Sequence, residues 1–369
     1  MDNKKILDEK IYPANAFTFD DILLLPGYAN FKRGDVDLTT KLHKTITLKL
    51  PVISSPMDTV TEKDMAAAIA KAGGLGIIHR NLSISKQAGM VSSVKEQGKL
   101  LVGAAIGAGK DFDERLAALV KAEANLIVVD SGHGHTKFVI DAVEIIKSRY
   151  PRVVVMAGNI ATTEGAKVLI KAGADILRVG MGPGSICTTR IVTGMGVPQL
   201  FAIEQAVRAI AGTKVTVVAD GGIRQMGDIA KALAFGAHAV MLGSMLARFD
   251  ESPGTVVTKN DKKFKTYRGM GSIAAMKKGG AERYGQARNT EEKKLIAEGV
   301  EGLVPYMGHV TDFLYQIEGS LRSSLYYLGA KNLEELFTKS RAVVITQASL
   351  SESHPHTVHI TDPGKNYML

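Results

Sequence analysis

Short runs of apolar and β-branched residues recur along the chain, and each run ends in small or polar residues. Runs of this length are typical of buried strands. The pattern predicts eight strands, at residues 51–54, 75–79, 101–104, 126–130, 153–158, 176–180, 215–220 and 239–243. Amphipathic stretches rich in Ala, Lys and Glu lie between most of them and predict helices, such as those at residues 62–72, 112–122, 136–148, 162–172, 199–211 and 226–235.

A repeated sequence supports this alternation of strand and helix. The segments KAGGLGII, KAEANLIVV, KAGADILRV and AFGAHAVML each run from the end of a helix through small residues into a strand. Small residues and glycine are usual in such connections. Eight units predict a (β/α)8 barrel, or TIM barrel, whose active site lies at the carboxyl ends of the strands. A doubly wound open sheet is the alternative, although no G-x-G-x-x-G fingerprint between a first strand and helix supports it.

Two regions do not follow the rhythm of the barrel. Residues 250–308, after the eighth strand, form a long polar excursion that is rich in Gly and Lys. Residues 340–369 form a C-terminal tail that contains Glu352, Ser353 and His354. Long excursions from a compact domain are usually functional lids or disordered segments. Barrels of this class often exceed about 250 residues as one unit, so we expect a single domain over residues 1–369.

Composition and charge narrow the class of protein. The chain is 45% hydrophobic and 22% charged, which is typical of a globular protein with a large core. No stretch resembles a signal peptide or reaches the roughly 20 apolar residues of a membrane span, so we expect a cytoplasmic protein. The net charge of +9 comes from scattered Lys and Arg residues, which favours anionic small molecules over nucleic acid.

The chain has one cysteine, Cys187, which excludes an intramolecular disulfide. It lies in the loop after the sixth strand, at residues 180–190 (GMGPGSICTTR). A lone cysteine is often only a small buried hydrophobic residue. In a glycine-rich loop at the end of a barrel strand, however, a thiolate can be exposed to a ligand. This position favours a nucleophilic role.

The loops after the seventh and eighth strands contain Asp220, Gly222, Gly243 and Ser244. In barrels these two loops often bind phosphate through backbone N–H groups, and Ser185 in the preceding loop adds a hydroxyl. Glycines in tight turns are the plainer alternative for either loop alone. At the strand ends, Asp220 and Asp130 are placed to accept hydrogen bonds from ribose hydroxyls.

Four segments carry a close resemblance to a known family: residues 54–60 (SSPMDTV), 182–190 (GPGSICTTR), 219–223 (ADGGI) and 267–272 (YRGMGS). They resemble the inosine-5′-monophosphate (IMP) dehydrogenases, and the cysteine loop is shared with the sister GMP reductases. The resemblance covers nearly the whole chain. It implies that the cysteine attacks C2 of IMP, that hydride passes to NAD, and that water then releases xanthosine monophosphate.

The resemblance also implies roles for individual residues. Those that would hold IMP are Ser55, Met57, Ser185, Asp220, Gly222, Gly243, Ser244, Tyr267, Gly269, Met270, Gly271 and Glu298. Asp130, Asn159 and Gly180 would face NAD. The resemblance makes the excursion at residues 250–308 a mobile flap, in which Arg283 and Tyr284 would activate water, and Thr189 and Glu298 would provide a second proton route. Around the pair the chain reads GAERYG, where the family usually has serines before the acid and phenylalanine after the tyrosine.

A monovalent cation and an oligomer follow from the same resemblance. Potassium would be bound by carbonyls of Gly182, Gly184 and Cys187, and by a neighbouring subunit's Glu352, Ser353 and His354. Such a shared site implies a homotetramer. Family members commonly carry two CBS regulatory modules between the second and third strands. Here only about twenty residues, roughly 82–100, join those strands, so both modules are absent.

Two other functions remain open from the sequence. GMP reductase shares the barrel, the cysteine and the phosphate loops, but it releases ammonia and runs hydride transfer in reverse. It lacks or alters the Arg283–Tyr284 pair and the segment YRGMGS. A catalytically silent nucleotide-binding barrel is the second alternative, although such a protein would need neither a nucleophile nor a flap.

Overall fold

The computed structural model describes residues 10–12, 14–287, 291–362, 364, 366 and 367. The chain begins with strand β1 (Ile22–Leu24) and the hairpin β2 (Thr40–His43) and β3 (Ile46–Leu48). Eight parallel strands then close into a barrel in which each strand pairs with the next and the last pairs with the first. They are β4 (Val52–Ser54), β5 (Leu75–Ile78), β6 (Val102–Ile106), β7 (Leu126–Asp130), β8 (Val154–Ile160), β9 (Ile176–Val179), β10 (Thr216–Asp220) and β11 (Ala239–Leu242).

Helices surround the barrel, one after each strand. They are α1 (Lys63–Lys71), α2 (Ile84–Lys95), α3 (Phe112–Lys121), α4 (Lys137–Arg149), α5 (Thr163–Ala172), α7 (Gln199–Ala209), α8 (Met226–Ala234) and α9 (Val310–Leu328), with the short helix α6 (Thr189–Thr193) in the cysteine loop. The predicted (β/α)8 barrel is confirmed, and the open-sheet alternative is wrong because β11 pairs with β4. The pattern did not single out α2 and α9. Helix α2 occupies the short connection predicted to lack the CBS modules.

Two hydrophobic layers hold the barrel together. One lies between the strands and the outer helices, and the other fills the inside of the barrel. The hairpin supplies Leu42, Ile46 and Leu48 to the inner layer, and Thr216 donates a hydrogen bond to the Leu42 carbonyl (2.9 Å). These contacts close the amino-terminal end of the barrel. The opposite end, where the strands finish, is therefore left for the loops that carry chemistry.

The region predicted as a flap contains more regular structure than its polar sequence indicates. Strands β12 (Val256–Lys259), β13 (Lys262–Arg268) and β14 (Glu301–Pro305) form an antiparallel sheet. Short helical turns cover residues 273–284 between β13 and β14. The flap is thus a folded sheet with a long excursion between its second and third strands. Residues 288–290 of the predicted flap lie outside the described residues.

The tail returns to the start of the chain. After helix α10 (Leu333–Lys339), strand β15 (Ala342–Val344) pairs antiparallel with β1, and helix α11 (Gln347–Glu352) follows. Within the described part of the chain, no helix is both long and apolar enough to cross a bilayer. The cytoplasmic location stays a prediction.

Candidate active site

The loop between β9 and α6 carries the cysteine. Cys187 is a free, partly buried thiol. Its neighbours pair with the backbone that leads into β14: Val300 donates to the Ile186 carbonyl (3.1 Å), and Thr188 donates to the Glu298 carbonyl (3.0 Å). Because these bonds form on both sides of the cysteine, the loop is held against the returning end of the flap.

A chain of hydrogen bonds leads away from the thiol. Cys187 Sγ donates to Thr189 Oγ1 (3.2 Å), and Thr189 Oγ1 donates to Glu298 Oε2 (2.7 Å). The structure therefore brings together three residues that the sequence placed in one reaction. A hydroxyl between a nucleophile and a carboxylate can pass a proton in either direction. The catalytic roles themselves stay predictions.

Asp220 lies at the end of β10 within a dense polar network. Asn159 Nδ2 donates to Asp220 Oδ2 (2.8 Å) and to the carbonyl of Gly180 (2.9 Å). Arg178 Nε donates to the same Asp220 oxygen (2.8 Å), and the guanidinium also contacts the carboxylate of Asp130. One arginine thus joins the two carboxylates that the sequence assigned to separate riboses.

Arg178 was missed by the sequence analysis. It interrupts the apolar strand β9, and its side chain is 3% exposed. A fully buried arginine almost always has a charged partner, because removing its charge from water is costly. A single charge within a buried strand was therefore the available signal. Its partners, 48 and 42 residues away in sequence, could not be identified from the pattern alone.

A pocket at the ends of β10 and β11 collects the predicted phosphate residues. Gly221 and Gly222 have positive φ angles of 90° and 81°, which glycine adopts easily. Asp20 and Arg224 form an ion pair among the lining residues. The predicted residues that line this pocket are Ser55, Met57, Ser185, Asp220, Gly222, Gly243, Ser244 and Tyr267. This grouping is what a single phosphate and its ribose would require.

Tyr267 lines both this pocket and the cavity beside the thiol. Its hydroxyl lies 3.8 Å from Met57 Sδ, and the side chain is buried. Burial raises the pKa of Tyr267, a hydrogen bond with Ser185 opposes this, and the charge of Asp220, with that of Cys187 whenever its thiol is ionised, acts in the same direction as burial. The phenol is therefore neutral at physiological pH and remains a hydrogen-bond donor.

The cavity beside the thiol is lined by most of the remaining predicted residues and by some that also line the phosphate pocket. They are Ser55, Met57, Asn159, Gly180, Gly182, Gly184, Cys187, Thr189, Asp220, Tyr267, Gly269, Met270, Arg283, Tyr284 and Glu298. Gly271 lies just behind it, where an added Cβ would be 2.8 Å from the Tyr284 ring. Asn159 and Gly180, predicted to face NAD, therefore lie on the same cavity as the cysteine.

The flap places Arg283 inside the barrel mouth. Arg283 is 9% exposed and forms an ion pair with Asp130, while its carbonyl accepts a hydrogen bond from Gly132 N–H (2.9 Å). Burial lowers the pKa of Arg283, and the charge of Arg80 adds to this, whereas Tyr284 and the Asp130 carboxylate act in the opposite direction. An arginine needs a lowered pKa in order to act as a base, and burial provides this effect.

Asp130 lies in a cleft next to the cysteine cavity. Arg80, Ser131, His133 and Phe138 also line this cleft. The Asp130 carboxylate is buried, and its Oδ2 atom has no hydrogen-bond partner. A buried oxygen without a donor is an available acceptor for a ligand hydroxyl. The flap forms one wall of this cleft, because Arg283 and Tyr284 line it as well.

The predicted cation residues fall into two separate places. Gly182, Gly184 and Cys187 lie in the cysteine loop. In the tail, the hydrogen bonds of Ser353 and His354 run within the tail, to Ser349, Leu350, Ser351 and Tyr367. Within the described part of the tail, the hydrogen bonds of Ser353 and His354 thus do not reach the cysteine loop of the same chain.

Comparison with known proteins gives one consistent result. A family profile described as "IMP dehydrogenase / GMP reductase domain" matches residues 16–356. Inosine-5′-monophosphate dehydrogenase of Borreliella burgdorferi is 45% identical, with 93% of this chain and 97% of the relative covered. The enzymes of that name from Aquifex aeolicus and Halalkalibacterium halodurans are 38% and 36% identical, over 95% and 98% of this chain and 97% and 100% of the relatives. Their alignments, of 480 and 486 positions, are longer than this 369-residue chain, so both relatives contain residues that it lacks.

Proposed function

Because the chain belongs to the IMP dehydrogenase / GMP reductase family, we propose that it oxidises IMP to xanthosine monophosphate, with NAD as hydride acceptor, through a covalent bond to Cys187. This reaction serves the synthesis of guanine nucleotides. The observation that carries the proposal is the arrangement of a free thiol, a Thr189–Glu298 relay and a phosphate pocket around one cavity.

The first half of the reaction uses the barrel residues. The phosphate of IMP binds at Ser185, Gly222, Gly243 and Ser244, and its ribose binds at Asp220. This places the base beside the thiol, whose proton leaves through Thr189. The thiolate forms a bond to C2, and the C2 hydrogen departs as hydride. NAD, when bound, supplies the acceptor for that hydride.

The residues of the Asp130 cleft fit a dinucleotide cofactor. The unpartnered Asp130 Oδ2 offers an acceptor for a ribose hydroxyl, and the exposed Phe138 and His133 offer apolar and aromatic surface. Asn159 and Gly180 lie on the cysteine cavity and would face the reacting end of the cofactor.

The second half of the reaction uses the flap. Arg283 contacts Asp130, so the docked flap and the cofactor require the same carboxylate. We infer that the flap docks after the reduced cofactor leaves. Arg283 and Tyr284 then activate water, with Thr189 and Glu298 as a second proton route. Water adds at C2, the C–S bond breaks, and the thiol regains its proton.

A monovalent cation and a tetramer complete the proposal. Backbone carbonyls of Gly182, Gly184 and Cys187 suit a large, weakly hydrated cation such as potassium. Glu352, Ser353 and His354 would come from a neighbouring subunit, since the tail makes other contacts within its own chain. A homotetramer supplies such a neighbour.

Formation of NADH from IMP and NAD tests the proposed function. The wild-type chain should produce NADH and xanthosine monophosphate in equal amounts. Release of ammonia from GMP with NADPH would instead identify a GMP reductase. Tight IMP binding without either reaction would identify a silent nucleotide-binding barrel.

A further inference from the structure

An ion pair lies directly behind the residues that enclose the nucleotide. Asp58 follows Met57 in the loop after β4, and Arg268 follows Tyr267 at the end of β13. Arg268 Nε donates to Asp58 Oδ1 (3.0 Å), and Nη2 donates to Oδ2 (2.6 Å). Two parallel bonds fix both distance and orientation. The pair therefore joins the loop after the first barrel strand to the flap sheet.

Asn81 extends this connection to the other side of the flap turn. Its Nδ2 donates to Asp58 Oδ2 (3.0 Å) and to the carbonyl of Ala275 (3.4 Å). Arg268 precedes the turn at residues 269–272, and Ala275 follows it. Asp58 is thus linked to the chain on both sides of one short turn.

This turn has little freedom to move without disturbing the site. An added Cβ at Gly269 would lie 3.0 Å from the Ile186 carbonyl, next to the cysteine, and one at Gly271 would lie 2.8 Å from the Tyr284 ring. Met270, between them, lines the cysteine cavity. A shift of the turn would therefore move the thiol loop, the base-lining residue and the flap tyrosine together.

We propose that Asp58, acting through Arg268 and Asn81, is the positioning residue that fixes the turn at residues 269–272 against the cysteine loop. The role rests on the proposed function. Asp58 does not line the cavity beside the thiol, whereas Met57 and Tyr267, adjacent to the two ion-paired residues, do. Its effect therefore passes through its neighbours in sequence and space.

The charge state of the pair supports this role. The Asp58 side chain is 5% exposed and that of Arg268 is 16% exposed. Burial, the largest single effect, favours a neutral Asp58, but hydrogen bonds from Arg268 and Asn81 and the electrostatic attraction of Arg268 and His79 together outweigh it and lower the pKa of Asp58. The hydrogen bond from Asp58 raises the pKa of Arg268. Both groups are therefore charged over the working range of an enzyme.

Kinetics of Asp58→Asn, Arg268→Lys, Arg268→Met and the double variant Asp58→Asn/Arg268→Met test the proposal. A misplacement of about 1 Å in a site can cost about 100-fold in rate. We expect Asp58→Asn and Arg268→Met each to raise the KM for IMP and lower kcat by about 10- to 100-fold. The KM for NAD should change much less, because the cleft around Asp130 does not touch the pair. Arg268→Lys should be intermediate, since it keeps the charge and loses the two-bond geometry.

Two comparisons make the test specific. The double variant should be no worse than the poorer single variant, because both changes break one interaction. Asp141→Asn removes an exposed ion pair with Lys137 and should leave all constants unchanged. If Asp58→Asn fails to fold, as judged by thermal unfolding, Asn81→Ala and Arg268→Lys replace it in the test. Each of these variants leaves an ionised Asp58 with a charged partner.

The outcomes separate this role from the proposed function. Unchanged IMP constants in folded Asp58→Asn, or in both substitute variants, overturn the positioning role while the wild type still forms NADH. Equal increases in the KM values for IMP and NAD overturn it as well, because they indicate a general structural defect. A wild-type chain that forms no NADH from IMP removes the proposed function, and the positioning role with it.

Discussion

At the scale of single residues, the proposed reaction depends most directly on Cys187. Its thiol lies beside a pocket in which, apart from Ser185, the proposed phosphate and ribose contacts come from other loops. Cys187→Ala should therefore abolish NADH formation and leave IMP affinity, measured by calorimetry, within a few-fold of wild type. Near-normal NADH formation by this variant would exclude a covalent role for the residue.

Tyr267 gives a prediction about stability rather than rate. Burial raises its pKa from the usual value of 10.0, so the folded state holds a proton that the unfolded state loses at high pH. The stabilisation is fully present below pH 10 and decreases as pH rises, by up to about 1.4 kcal/mol per pH unit. Urea unfolding between pH 8 and pH 11 should show a steeper loss for wild type than for Tyr267→Phe. Identical slopes would contradict the buried, neutral phenol.

The location of a single functional residue could be predicted where that residue stands at the end of its own apolar strand. Asp130 and Asp220 follow apolar strands, so their position at the barrel mouth could be read from the sequence. The partners of these residues could not, because Arg178 belongs to a third strand. The Asp58–Arg268 pair could not be predicted for the same reason, because its members are separated by 210 positions in the sequence.

At the scale of elements, the most specific prediction concerns the flap. Arg283 serves only the hydrolytic half of the reaction in this account, because it shares Asp130 with the cofactor. Arg283→Ala should give a burst of NADH followed by turnover slowed by about 10²–10⁴, typical of losing a general base. Lys278→Ala, an exposed change in the same excursion, should behave as wild type. Stopped-flow absorbance measures both phases. Absence of a burst would show that Arg283 is needed for binding or hydride transfer.

Elements with a strong periodic pattern were predicted well, and irregular ones were not. All eight barrel strands lie within two residues of their predicted bounds, because each is short, apolar and followed by a helix. The flap sheet was missed because β12 and β14 are largely exposed and β13 contains three lysines, so pairing rather than an apolar run defines these strands. The β1–β15 pair joins the two ends of the chain and has no local signal.

At the scale of the whole molecule, we expect activity to depend on a cation shared between subunits. Raising potassium at constant ionic strength should increase the rate, whereas a large organic cation should not. Deleting residues 350–369 should weaken the potassium response, because it removes Glu352, Ser353 and His354. Size-exclusion chromatography shows whether the tetramer remains. Equal activity in both salts would contradict the shared site.

The central claim is that a nucleotide is bonded to Cys187 during turnover. Wild-type enzyme and Arg283→Ala should be mixed with IMP and NAD, quenched in acid, and analysed by mass spectrometry of the whole chain and of the peptide containing Cys187. We expect a nucleotide adduct on that peptide only when both substrates are present, and a larger fraction of the chain should carry it in Arg283→Ala. NADH formation with no adduct in either protein, or an adduct on another residue, would contradict it.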